Sequence, residues 1–127
     1  MAKIMIVDDA AFMRMTLRGI LEKGGHEVAC EGANGEEAVR LYGTHQPDLV
    51  TMDITMPVMD GIEAVRQLIA RHPAARILMC SAMGNQRMVV DAVLAGAKDF
   101  IVKPFNGERV LESVERALSS AFSPPSV

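Results

Sequence analysis

Short apolar runs alternate with segments of helical periodicity along the whole chain. The runs are rich in Ile, Val, Leu and Met, which is typical of strands covered on both faces of a parallel sheet. Between the runs, apolar residues recur every three or four positions, as in an amphipathic helix. The predicted strands are residues 3–8, 27–31, 48–53, 76–81 and 100–102, and the predicted helices begin near residues 10, 34, 62, 85 and 106.

Turn and capping residues delimit the predicted helices. Gly24 and the glycine after it end the first helix, and Gly96 ends the fourth. Asn34 is a capping residue for the second helix, with the acidic Glu37 at the third helical position. Pro73 prevents the third helix from continuing. These signals agree with the hydrophobic pattern on where each helix lies.

Five strands that alternate with five helices predict the α/β class. Parallel strands need crossover connections, and right-handed crossovers place helices on both faces of a doubly wound sheet. The run 27–31 is less apolar than the others and is expected at an edge of the sheet. Residues 1–122 are expected to form one domain, and residues 123–127, rich in Ser and Pro, a disordered tail.

Composition narrows the possible partners and the compartment. The chain has 127 residues, 50% of them hydrophobic, and a formal net charge of -3, which argues against nucleic acid as the main partner. No run is long enough for a membrane span. Cys30 and Cys80 lie inside apolar runs without a CxxC pattern, so free thiols in a reducing compartment are expected. We therefore expect a cytoplasmic monomer that binds neither membrane nor nucleic acid.

Reactive side chains follow four of the five predicted strands. The first strand ends in Asp8-Asp9, the third in Asp53, the fourth in Ser81 and the fifth in Lys103. In a parallel sheet these carboxyl ends share one edge, where ligands bind. Each residue alone has an ordinary structural explanation as a cap or a solvated side chain. Together, three carboxylates repel one another unless a cation lies among them, and hard oxygen ligands suit Mg²⁺.

This combination of groups can accept a phosphoryl group. A carboxylate can act as a nucleophile, and phosphoryl transfer depends mainly on positioning and on charge stabilisation. Asp53 is the predicted phosphoacceptor, while Mg²⁺ and Lys103 would offset the charge on the transferring oxygens. Ser81 supplies a hydroxyl at the same edge of the sheet.

In these residues the chain resembles a known family, the receiver domain of two-component response regulators. The resemblance runs from about Lys3 to Leu118 and is strongest to the stand-alone chemotaxis members of the family. Its motifs are specific when they occur in this order. They are Asp8-Asp9, Asp53 with Met56-Pro57 and Gly61, Ser81-Ala82, and Lys103-Pro104.

The resemblance implies a strand order of 2-1-3-4-5, which the handedness of the crossovers alone does not fix. It implies that Ser81 turns toward the aspartyl phosphate and that Phe100 moves inward behind it as part of a switch. Phe100 stands where many relatives carry Tyr, so an output contact through a phenol hydroxyl is not expected. It also implies that Asp8, Asp53 and the backbone carbonyl of Thr55 bind Mg²⁺ directly. Asp9 would act on the ion through a water molecule.

The resemblance further implies partner proteins. An upstream histidine kinase would be the phosphodonor, and the face of the fourth helix, fifth strand and fifth helix would bind the flagellar motor switch protein. Thr55 and Met83 follow two residues after Asp53 and Ser81, and neither side chain is suited to hold a water for hydrolysis. We therefore expect a long-lived phosphorylated form and a partner phosphatase.

Three other functions share parts of the pattern. A single-domain phosphorelay intermediate would have the same site. A phosphohydrolase of the haloacid dehalogenase type would carry a second Asp two residues after Asp53, where Thr55 stands. A flavin-binding module would need a phosphate-binding loop after the first strand, where Asp8-Asp9 would repel phosphate. We therefore favour a phosphorylation-dependent switch over an enzyme or a flavoprotein.

Overall fold

Strands and helices alternate along the chain, as the hydrophobic pattern predicts. The structure, a computed structural model, describes residues 1–82, 84 and 86–119. The strands are β1 (Lys3–Val7), β2 (Glu27–Gly32), β3 (Leu49–Asp53), β4 (Ile77–Ala82) and β5 (Asp99–Lys103). The helices are α1 (Ala11–Lys23), α2 (Gly35–His45), α3 (Gly61–Arg71), α4 (Gln86–Ala95) and α5 (Gly107–Ser119).

The five strands form one parallel sheet in the order β2-β1-β3-β4-β5. This confirms the α/β class, the implied strand order and the edge position of β2. The chain leaves β1 toward β2 on one side and returns through β3 on the other. Such a reversal opens a crevice at the carboxyl ends of the strands, where ligands bind in folds of this kind.

Two hydrophobic layers cover the sheet, because successive side chains of each strand point to opposite faces. One layer packs against α1 and α5, and the other against α2, α3 and α4. The strand residues of the first layer are Ile4, Ile6, Leu49, Leu78, Cys80 and Ile101. The strand residues of the second are Met5, Val7, Val50, Met52, Ile77 and Met79. Nearly continuous apolar strands are therefore a consequence of burial on both faces.

The predicted cap of α2 is present, but its second hydrogen bond comes from the residue before the capping residue. Asn34 Oδ1 accepts from the backbone N–H of Glu37 at 2.9 Å. The Glu37 carboxylate accepts in turn from the N–H of Ala33 at 2.8 Å, one residue before the cap itself. This reciprocal pair fixes the turn between β2 and α2.

Each strand differs from its predicted bounds by one residue at one end or at both. At their carboxyl ends β4 and β5 each extend one residue further than predicted, because Ala82 pairs with Lys103 in the ladder. Lys103 is thereby held by the sheet itself. Three features predicted from the sequence fall on residues that the structure does not describe: the start of the fourth helix at Asn85, the side chain of Met83 and the tail 123–127.

Candidate functional site

Three aspartates converge where β1 and β3 end. Asp8 and Asp9 follow β1, and Asp53 is the last residue of β3. One carboxylate oxygen from each lies within 4.8 Å of the other two. Asp8 is 1% exposed and Asp53 8% exposed, whereas Asp9 is open to solvent. The predicted acidic cluster is therefore present at one edge of the sheet, partly withdrawn from water.

Lys103 brings a cation into this cluster from the end of β5. Its Nζ lies 3.1 Å from Asp8 Oδ2 and 3.3 Å from Asp53 Oδ1. The Lys103 side chain is only 22% exposed, so these ion pairs are less screened than surface pairs. One ammonium group thus pairs with two of the three carboxylates, and the cluster retains an excess of negative charge.

Burial and the neighbouring charges both act on the ionisation of the site. Burial raises the pKa of Asp53, and the charges of Asp8 and Asp9 raise it further, while Lys103 opposes both effects. Burial by itself would lower the pKa of Lys103, but the charges of Asp53 and Asp8 and their hydrogen bonds outweigh it, so that pKa is raised. Loss of contact with water is therefore the largest effect on the pKa of Asp53, and Lys103 does not fully offset it together with the charges of Asp8 and Asp9.

The backbone around Asp8 is fixed from several directions. Its N–H donates to the carbonyl of Gly32 in β2 at 3.0 Å, and its Oδ1 accepts from the N–H of Ala10 at 2.9 Å. Its carbonyl oxygen accepts from Arg14 Nη1 at 2.6 Å. The hydrophobic pattern of the sequence does not predict this contact of Arg14. The sequence offers one related signal. Arg14 and Arg18 lie one turn apart, and the acidic Glu31 follows in the edge strand β2.

Asp9 does not serve as the cap of α1. The capping position is Ala10, and no side chain among the described residues caps this helix. The explanation of Asp9 as a helix cap therefore does not apply. Its carboxylate lies instead with those of Asp8 and Asp53 in the acidic cluster.

The loop after Asp53 is tightly folded. The N–H of Gly61 donates to the carbonyl of Ile54 at 2.7 Å, and a side chain at Gly61 would collide with the backbone of Asp53. Thr55 is exposed in this loop. Val58, also exposed, adopts a φ of 68°, a left-handed conformation that a β-branched residue rarely takes. Gly61 thus fits its place in the motif, whereas Val58 carries backbone strain.

Ser81 lies near the end of β4 and is 1% exposed. Its hydroxyl has no hydrogen-bond partner among the described residues. Its neighbour Cys80 pairs with Asp53 in the sheet, and burial raises the pKa of that thiol to about 12. Cys80 therefore stays protonated at neutral pH and does not compete with Asp53 as a nucleophile.

An apolar cavity of about 500 Å³ extends from Ser81 to Phe100. Phe100 is 40% exposed and lines this cavity. The remaining wall is formed mainly by α4, whose Val89 is buried while Leu94 is 81% exposed. The exposed apolar residues of α4 are Met88, Val90, Val93 and Leu94. Packing thus turns Val89 and Ala92 of α4 inward and these four apolar side chains toward solvent.

The acidic cluster has the composition of a divalent-cation site. Carboxylate oxygens are the ligands that Mg²⁺ prefers, and three of them converge here. The raised pKa of Asp53 fits the same conclusion, because a bound cation would supply the charge that Lys103 alone does not. The residues present could therefore hold a metal ion.

Comparison with known proteins identifies the family. The response regulator receiver domain matches residues 4–115. The chemotaxis protein CheY of Bacillus subtilis is 60% identical over 92% of this chain and 98% of its own. CheY of Thermotoga maritima is 56% identical over 90% of this chain and 95% of its own.

A solved structure agrees with these relatives. The CheX-CheY-BeF3-Mg+2 complex from Borrelia burgdorferi contains a chain that superposes with a TM-score of 0.86 at 40% identity. The match covers 90% of this chain and 87% of that one. Sequence and fold therefore agree over nearly the full length, and the chain belongs to the family of response regulator receiver domains, with CheY among its relatives.

Proposed function

We propose that this protein is a chemotaxis response regulator that accepts a phosphoryl group on Asp53. The observation that carries the proposal is the placement of Lys103 between Asp8 and Asp53, with the Asp9 carboxylate beside them. A nucleophilic carboxylate, a cation and an acidic ligand set at the end of parallel strands suit phosphoryl transfer. The similarity to CheY over most of the chain supports the chemotaxis assignment.

In the proposed reaction, an oxygen of Asp53 attacks the phosphorus of a phosphohistidine on the donor kinase. The phosphorus–nitrogen bond breaks, its electron pair stays on the imidazole, and the imidazole takes up a proton. Lys103, which already lies 3.3 Å from Asp53 Oδ1, would stabilise the negative charge on the transferring oxygens. Asp53 thus becomes an acyl phosphate, and the donor histidine returns to its free form.

Asp8, Asp53 and the backbone carbonyl of Thr55 would hold Mg²⁺ directly, and Asp9 would act through water. When bound, Mg²⁺ neutralises charge on the phosphoryl oxygens. Asp8 is well suited to this role because its backbone and one carboxylate oxygen are fixed by hydrogen bonds. Asp9 is more exposed, which suits a ligand that acts through water.

Phosphorylation would then change the surface near α4. The Ser81 hydroxyl, buried and without a partner among the described residues, is free to turn toward the phosphoryl group. Phe100 would move from its half-exposed position into the cavity that it shares with Ser81. The exposed apolar side chains of α4 and the face formed with β5 and α5 would bind the flagellar motor switch protein.

A histidine kinase would supply the phosphoryl group, and a phosphatase would remove it. Among the relatives, CheY of Borrelia burgdorferi forms a complex with CheX that also contains BeF3 and Mg²⁺, which supports binding of this protein to a partner protein. Within residues 1–82 and 86–119 the structure contains no helix that is both long and apolar enough to cross a membrane. We propose that the protein acts in the cytoplasm as a monomer.

A single-domain phosphorelay intermediate is the alternative with the same chemistry. A relay intermediate needs mainly a surface for a second phosphotransfer domain. Four exposed apolar residues on α4, led by Leu94 at 81% exposure, favour a protein target away from the acidic cluster. Binding of the phosphorylated protein to the motor switch protein, compared with binding to phosphotransfer domains, distinguishes these two roles.

Intact-mass measurement tests the phosphoacceptor directly. After incubation with Mg²⁺ and a small phosphodonor, the wild type should gain the mass of one phosphoryl group. Asp53→Asn should gain none, whereas Asp91→Asn, which removes a carboxylate from α4, should be labelled like the wild type. A wild-type protein that stays unmodified under these conditions would refute the proposed function.

A further inference from the structure

Arg14 contacts the backbone of the acidic cluster from outside it. Its Nη1 donates to the carbonyl oxygen of Asp8 at 2.6 Å, a short charge-assisted hydrogen bond. That carbonyl belongs to the peptide bond between Asp8 and Asp9. Because a peptide bond is planar, fixing its oxygen also fixes the nitrogen of Asp9 and the direction in which Asp9 leaves the peptide.

Glu31 in turn holds Arg14 from the edge strand β2. Glu31 Oε1 accepts from Arg14 Nε at 3.1 Å, and its other oxygen accepts from Arg18 Nε at 2.9 Å. The side chains of Arg14 and Glu31 are 20% and 28% exposed, so this contact is shielded from bulk water on most sides. The guanidinium is a rigid planar fork, and fixing its Nε therefore orients the Nη1 that reaches Asp8.

We propose that Arg14, oriented by Glu31, is a positioning residue for the divalent-cation site. It fixes the peptide between Asp8 and Asp9 and thereby keeps the exposed carboxylate of Asp9 directed at the other two. Without this restraint, repulsion from Asp8 and Asp53 would favour an Asp9 carboxylate turned outward into water. This inference rests on the proposed Mg²⁺-dependent function.

Arg18 provides a matched comparison within the same helix. It lies one turn after Arg14 and bonds the same glutamate, but its Nη1 pairs with Glu22 instead of reaching the backbone of the acidic cluster. Replacing either arginine removes one positive charge and one partner of Glu31. Only the replacement of Arg14 removes the contact to Asp8.

The experiment measures Mg²⁺ binding without any phosphoryl transfer. The melting temperatures of wild type, Arg14→Met and Arg18→Met are followed against Mg²⁺ concentration, with Asp53→Asn as a variant of the site itself. The Mg²⁺ concentration that gives the same rise in melting temperature as in the wild type should be about tenfold higher in Arg14→Met, the usual scale for residues that orient metal ligands. In Arg18→Met it should change less than about twofold, because this contact lies outside the cluster.

A second readout separates positioning from general damage to the fold. Phosphorylation of Arg14→Met by a small phosphodonor should be slow at low Mg²⁺ and should approach the wild-type rate at saturating Mg²⁺. If Arg14→Met does not fold, the pair Arg14→Lys and Arg18→Lys makes the same comparison, because Lys cannot bond Glu31 and the Asp8 carbonyl with one rigid fork.

The outcomes distinguish this inference from the proposed function. If the wild type binds Mg²⁺ and the two arginine variants match each other, or if saturating Mg²⁺ does not restore the phosphorylation of Arg14→Met, the positioning role is refuted alone. If the wild type does not respond to Mg²⁺ at all, the proposed function and the positioning role both fail.

Discussion

The ammonium group of Lys103 lies 3.3 Å from the carboxylate of Asp53, although the two residues are 50 positions apart in the chain. Their strands are separated by β4 in the sheet, so the side chains meet only beyond the strand ends. Lys103 also reaches Asp8 at 3.1 Å. A single cation therefore links the two buried carboxylates of the site, and the balance of charge around it governs stability as well as chemistry.

The first prediction concerns the pH dependence of stability in Mg²⁺-free protein. Burial raises the pKa of Asp53 above its ordinary value of 3.8. The folded state therefore binds more protons than the unfolded state between these two pKa values. Stability is then lost as pH rises through that window, because the charged form is disfavoured in the folded state. Asp53→Asn lacks this penalty and should be more stable than the wild type at pH 7, by on the order of 1 kcal/mol.

Chemical denaturation of both proteins across pH checks this sign. The advantage of Asp53→Asn should shrink as pH falls through the raised pKa of Asp53, because the wild-type carboxyl then becomes protonated in the folded state. A variant that is less stable than the wild type at pH 7 would show that the Lys103 ion pair outweighs burial and repulsion.

The second prediction concerns the cation. Mg²⁺ should raise the melting temperature of the wild type, because it binds the folded site and relieves repulsion among Asp8, Asp9 and Asp53. At a concentration 100-fold above its Kd the gain is about 2.7 kcal/mol. A chelator should reverse the gain, and Asp8→Asn should reduce it. Equal melting temperatures with Mg²⁺ and with chelator would contradict the assignment of the cluster.

The third prediction separates phosphorylation from switching at Ser81. Ser81→Ala should be phosphorylated nearly as well as the wild type. Phosphorylation should, however, raise its affinity for the motor switch protein less than it does in the wild type, with a loss of about 1–3 kcal/mol of coupling free energy. The unphosphorylated variant should be as stable as the wild type or slightly more so, because it loses a buried hydroxyl without a described partner.

Ser113→Ala is the control for stability in this comparison. Ser113 is also buried, but its hydroxyl accepts from Arg116 at 3.1 Å. Its removal should cost about 1 kcal/mol, the usual net value of a hydrogen bond. If phosphorylation raises the affinity of Ser81→Ala and wild type equally, Ser81 is not part of the switch.

The fourth prediction concerns the lifetime of the phosphorylated form. Thr55 is exposed in the loop after Asp53 and offers only a short hydroxyl. At the second position, Met83 has an apolar thioether that cannot orient a water. The double variant Thr55→Asn with Met83→Glu should dephosphorylate at least about tenfold faster, because orientation of a reactant contributes at least this much to a rate.

This rate is measured as decay of pre-formed phosphoprotein after removal of the donor at fixed Mg²⁺. Equal half-lives for wild type and double variant would mean that these side chains do not control the water. The inference of a required phosphatase would then lose its support.

The fifth prediction concerns the strained residue of the loop after β3. Val58 is 77% exposed and has a φ of 68°. Its left-handed conformation is unfavourable, and burial of the side chain does not offset this cost. Val58→Asn should raise the free energy of unfolding by about 1 kcal/mol, since Asn tolerates this conformation far better. Val90→Asn makes the same chemical change at a 55% exposed position of α4 and should give no such gain. Equal effects of the two substitutions would argue against strain at Val58.

The sequence by itself determined the fold class and most of the acidic site. Continuous apolar strands alternating with amphipathic helices permit few architectures, and parallel strands must place their carboxyl ends at one edge. The sequence therefore predicts that the four residues at the strand ends lie close together, namely Asp8, Asp9, Asp53 and Lys103. The order of the strands came only from the family resemblance, because periodicity does not say which strands are neighbours.

Only the tertiary structure decided the contacts that depend on how neighbouring elements pack. Periodicity marks Arg14 as polar, but its bond to the Asp8 carbonyl exists because α1 lies against the edge strand that carries Glu31. The apolar α4 has more than one candidate inner face, and packing against the sheet selected Val89 and Ala92. The left-handed Val58 opposes local propensity and is held by its folded loop. Local sequence encodes elements and their ends, whereas side-chain partners distant in the chain are fixed only when those elements pack together.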